Sequence, residues 1–66
     1  MTTNLPASMK AIAADMRRTM PTAADQRRNP DIDVMHVWRD DIEHTITAKG
    51  WDAEQAEAFR ALCGAD

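Results

Sequence analysis

Residues 29–51 constrain the chain more than any other stretch, because both ends of one long amphipathic segment are signposted. The segment reads N-P-D-I-D-V-M-H-V-W-R-D-D-I-E-H-T-I-T-A-K-G-W. Asn29 is a good helix N-cap, Pro30 suits the first helical position, and Asp31 and Asp33 complement the positive pole of a helix dipole. At the far end Lys49 complements the opposite pole, and Gly50 can take the left-handed conformation that closes a helix. Val34, Trp38, Ile42 and Ile46 recur every fourth residue with Met35 alongside, while His36, Asp40, Glu43 and Thr47 fall on the other side. The spacing predicts a helix over about 30–49, roughly 28 Å long.

The flanks follow the same period. Leu5, Met9, Ile12, Met16 and Met20 step by four, three, four and four, which predicts a helix over about 6–20. Pro6 suits its start, and Pro21 ends or kinks it. Its apolar face is rich in methionine, which fits an irregular core or a surface that adapts to a partner. Residues 1–4 are expected to fray. Residues 21–29 read as a linker, with Thr22 and Asp25 in a weak capping arrangement compatible with one or two helical turns. Asp52 is a further N-cap, and Gln55 completes its capping box. Ala56, Phe59, Leu62 and Cys63 form the stripe of a helix over about 52–63 that stops at Gly64. The expected fold is therefore a single all-α unit over residues 1–66. It is either a small three-helix domain or an antiparallel helical hairpin with an N-terminal helical arm.

The arms of that hairpin are unequal. About 12 residues of the last helix reach back along about 18 Å of the central one. The 32–37 end is left for the N-terminal helix, or a second copy, to cover. The core material is limited: twelve of the apolar residues are alanine, and the large ones are four Ile, two Val, two Leu, one Phe, two Trp and five Met. Such a set seals one thin helical core without also enclosing a substrate pocket. Self-association would ease the shortage, so a homodimer is expected. The interface candidates, for a second copy or for another protein, are Ile32, Val34, Met35, Trp38, Met9, Met16 and Trp51.

Charge divides the chain. Residues 1–30 carry Lys10, Arg17, Arg18, Arg27 and Arg28 against Asp15 and Asp25, whereas residues 31–66 hold three basic and nine acidic side chains. The halves, +3 and −6, sum to the net −3. Such a split can steer partners, although solvated helix faces are the plainer reading. A lone cysteine excludes an intramolecular disulfide framework and fits a reducing compartment. The N-terminus lacks the apolar run of a signal peptide, and no stretch is long enough for a membrane span. A cytoplasmic location without membrane attachment is the expectation.

Chemistry-bearing residues are few. His36, Asp40 and His44 share one helical face with Glu43 beside them, and imidazole and carboxylate suit zinc. Ligands at i and i+8 stand about 12 Å apart along a helix, so these are weak metal candidates and no metal or cofactor is expected. Ser8 is the sole serine, and Cys63 sits on an apolar stripe near a helix C-terminus, where the dipole raises a thiol pKa. There is no Tyr, phosphate loop or C-x-x-C pair, so no enzymatic activity is expected. Arg17, Arg18, Arg27 and Arg28 form a basic-patch candidate for phosphates or acidic protein, yet without interleaved aromatics they specify no base.

A competing reading makes residues 31–38 a strand, from the alternation of Asp31, Ile32, Asp33 and Val34 and the β-branched and aromatic content that follows. Strand, helix, glycine, helix resembles the ribbon-helix-helix DNA-binding dimers in element order. That resemblance implies a small DNA-binding transcriptional regulator, as would a basic arm. The strand, however, would present Asp and His where such proteins offer basic or amide groups to bases. The reading preferred here is a small non-enzymatic interaction module, a dimeric regulator or inhibitor that binds a larger protein. Trp and Arg are common anchors of such interfaces.

Overall fold

Cap chemistry sets where each helix begins and ends. In a computed structural model, which describes residues 5–65, the chain forms α1 (Ala7–Arg18), α2 (Ala23–Arg28), α3 (Val34–Lys49) and α4 (Ala53–Cys63). No strand occurs among the described residues. The protein is all-α. The expectation of a frayed start at residues 1–4 lies outside the described residues.

α1 begins after Pro6 and ends short of the expected Met20, with Thr19 as its C-cap. The Thr19 amide donates to the Asp15 carbonyl at 3.1 Å, and its hydroxyl donates to that of Met16 at 3.1 Å. The linker 21–29 contains α2, opened by a complete capping box. The Asp25 amide donates to Thr22 Oγ1 at 3.2 Å, and the Thr22 amide donates back to Asp25 Oδ2 at 2.9 Å.

The central helix starts at Val34 rather than near residue 30. Asn29 is already engaged as the C-cap of α2, its amide donating to the Asp25 and Gln26 carbonyls. The Ile32 amide then donates to the Asn29 carbonyl in a turn, and Asp33 Oδ1 accepts from the His36 amide at 3.1 Å as the true N-cap. The strand reading of residues 31–38 fails for the same reason. Residues 31–33 form this turn, and Val34 onward is helical.

At the other end the expected signals hold. Gly50 sits at φ 69°, the Trp51 amide donates to the Ile46 carbonyl at 3.3 Å, and the Gly50 amide donates to that of Thr47. This double closure needs left-handed backbone at its pivot, which glycine adopts without strain. Asp52 and Gln55 make the reciprocal capping box that opens α4.

One core joins three of the helices. Met9 and Ala13 of α1, Trp38, Ile42 and Ile46 of α3, and Ala56, Phe59 and Cys63 of α4 are all buried. Trp51 closes the α3–α4 turn over this core, its ring 4.8 Å from that of Phe59 and tilted by 53°. Met20 lies close to Gly64, so the C-terminal ends of α1 and α4 sit together. α1 also reaches the first turns of α3: Trp38 Nε1–H donates to the Met16 carbonyl at 2.9 Å. On the outer face Arg60 grips Glu43 with two parallel bonds of 2.7 and 2.6 Å, tying α4 to α3.

Candidate functional site

The residues that follow α1, α2 and the first turns of α3 border a groove of about 410 Å³. Thr19 and Pro21 bound it on the α1 side, Asp25 and Asn29 on the α2 side, and Ile32, Val34, Val37, Trp38 and Asp41 along the turn and α3. Val34, Val37, Trp38 and Asp41 stand at i, i+3, i+4 and i+7, so one helical face supplies most of the wall. Ile32 is 50 % exposed and Val37 48 %, and they are the exposed large apolar side chains among the described residues.

Gln26 sets the shape of this wall. Its Nε2 donates to the carbonyls of Asn29 at 3.0 Å and Ile32 at 2.6 Å, and its Oε1 accepts from the Val34 amide at 3.2 Å. One side chain thus fixes both ends of the turn that carries Ile32. The Asp25 carboxyl is held below the ordinary carboxylate range by its bond from the Thr22 backbone, then by Arg28. Asp41 has no ion pair among the described residues, although its backbone carbonyl accepts from the Thr45 hydroxyl at 2.8 Å. The charged residues lining the groove, Asp25 and Asp41, are both acidic.

The residues singled out from the sequence divide into three groups. Met9 and Trp38 lie inside the chain's own core, Met16, Val34, Met35 and Trp51 are half-buried, and Ile32 is exposed. Of the arginines, Arg18 pairs with Asp15 and Arg28 with Asp25 at 2.6 Å, each within its own helix, while Arg17 and Arg27 are exposed. His36 Nε2 stands 3.3 Å from Asp40 Oδ2, both exposed, and His44 is exposed one turn further on. No group of three or more His, Cys, Asp or Glu among the described residues is placed to hold a metal ion. Cys63 is fully buried and its thiol is pushed up by that burial. No helix among the described residues is long and apolar enough to cross a membrane.

Val37, Asp41 and Gln26 were not singled out from the sequence. The first two could have been found from the register of Val34, which repeats at three and seven residues. Gln26 gives no such signal, because its partners lie six and eight residues away in a turn.

Comparisons with protein-family models, with curated proteins and with solved structures find no match. What fold and groove define together is a small all-α protein with a shaped apolar recess beside its core.

Proposed function

We propose that the chain is a non-enzymatic protein-interaction module, a small regulator or inhibitor that docks on a larger protein through the α1–α2–α3 groove. One observation carries this reading. Two half-exposed aliphatic side chains, Ile32 and Val37, border a recess lined by Trp38, on a backbone pinned by Gln26. Exposed apolar surface gathered around a recess marks interaction sites. The homodimer expected from the sequence relied on the 32–37 end of α3 staying uncovered. Because α1 reaches Trp38 within one chain, the proposal places docking on the groove, where Ile32 and Val37 of that end stay half exposed.

The test is capture from extract of the native host by the wild-type chain, by Val37→Asp and by Glu57→Lys, each verified as folded by circular dichroism. Glu57 lies on the exposed face of α4. The expected result is a discrete protein retained by the wild type and by Glu57→Lys but lost with Val37→Asp. Retention by Val37→Asp at wild-type level would overturn the assignment of this groove.

A further inference from the structure

The groove discriminates between occupants by shape and by charge. It is an open recess, and its charged lining residues are acidic, with Asp31 and Asp33 flanking Ile32 in the turn above. Arg28 is close by but bonded to Asp25, whereas the Asp41 carboxylate faces out with no ion pair among the described residues.

A second copy of this chain fits such a surface poorly. The exposed large apolar side chains, Ile32 and Val37, both belong to the groove itself. A two-fold pairing would therefore set one recess against another and bring like-charged aspartates together. A segment seated in the recess would also touch Val34, Trp38 and Pro21.

We infer that the groove takes a basic amphipathic helix of a partner protein, with a large aliphatic side chain seated between Val37 and Pro21 and a neighbouring Lys or Arg paired with Asp41. This rests on the groove being the interaction site, and it adds the chemistry of what enters. The apolar anchor supplies most of the attraction, and the cation selects the partner, since charge at an interface rim governs specificity and encounter more than affinity.

The experiment uses the isotopically labelled full chain and two synthetic helical peptides of the same apolar pattern. One is built of leucine and lysine, the other of leucine and glutamate. The expected result is that the lysine peptide shifts the amide signals of Ile32, Val37 and Asp41, and that its binding weakens severalfold as salt is raised. Asp41→Lys should weaken it by about five- to tenfold and strengthen the glutamate peptide, a reversal that simple loss of structure cannot give. Equal binding of the two peptides in the groove would overturn the basic partner while leaving the groove as the site. Shifts confined to the acidic face of α4 around Glu54 and Glu57, or none with either peptide, would overturn both. Concentration-dependent shifts of Ile32 and Val37 in the chain alone would make a second copy the occupant and overturn the inference.

Discussion

Trp38 and Met16, 22 residues apart, are joined by an indole N–H that donates to a backbone carbonyl at 2.9 Å. The bond falls where α1 runs out of intrahelical donors, so it satisfies a carbonyl that helix geometry leaves open. It also holds the indole with 4 % of its surface exposed. Trp38→Phe would keep an aromatic ring but remove the donor and some volume. The Met16 carbonyl would retain only the Thr19 hydroxyl among its side-chain donors. A loss of about 1–2 kcal/mol is expected, which is a Tm lower by about 7–14 °C in a chain of this size. Thermal unfolding followed by circular dichroism checks it, and an unchanged midpoint would mean this bond does not dock α1.

Gln26 makes three hydrogen bonds to the turn before α3. Because the turn is exposed, water can replace part of what is lost in Gln26→Ala. The expected destabilisation is therefore about 0.5–1.5 kcal/mol. The more specific consequence is local. Amide exchange at Val34 should accelerate well beyond that in the middle of α3, since the turn can open without the helix unfolding.

The Glu43–Arg60 clamp predicts an acid dependence. Arg60's bonds hold the Glu43 carboxyl below its ordinary value of 4.5. In acid the unfolded chain takes up this proton more readily than the folded one. The stabilisation is thus present above pH 4.5 and disappears as pH falls through the lower, folded value. Both partners are substantially exposed, so the effect is modest. Glu43→Gln should lower the midpoint at pH 7, and the gap from wild type should shrink as both are taken to pH 3. A gap that stayed constant would assign the clamp no part in acid sensitivity.

Gly50 isolates a conformational effect. A Cβ there meets no atom within 4 Å, yet the backbone stands at φ 69°. Gly50→Ala therefore tests the left-handed turn alone, at an expected loss of about 1–2 kcal/mol. Urea denaturation with an unchanged slope and a lower midpoint is the predicted outcome.

Signals contained within a few residues proved readable from sequence. Gly50 as a helix stop, the Asp52–Gln55 box, the Thr22–Asp25 pair and the buried stripe Trp38, Ile42, Ile46 all appear where the spacing placed them. The start of α3 was misplaced because two cap signals compete over residues 29–33. Asn29 can open a helix or close one, and its engagement at the end of α2 hands the N-cap to Asp33. Ala13 was missed as a core residue because its small side chain adds little to a hydrophobic stripe, yet it is 2 % exposed in the packed core. The groove was illegible for a deeper reason. It exists only where the residues after α1, α2 and the start of α3 come together, and Val37 looks like any other helical valine until Trp38 is seen to turn inward against Met16.

The proposed reading takes the core to close within one chain, with the groove as the docking surface. Sedimentation equilibrium of the wild-type chain across the micromolar range tests it most directly, paired with thermal unfolding over the same concentrations. A mass of 7.4 kDa throughout, with a midpoint independent of concentration, is the predicted result. Twice that mass, with a midpoint that rises with concentration and a dimer dissociated by Met35→Asp, would contradict it and assign the uncovered part of α3 to a second copy.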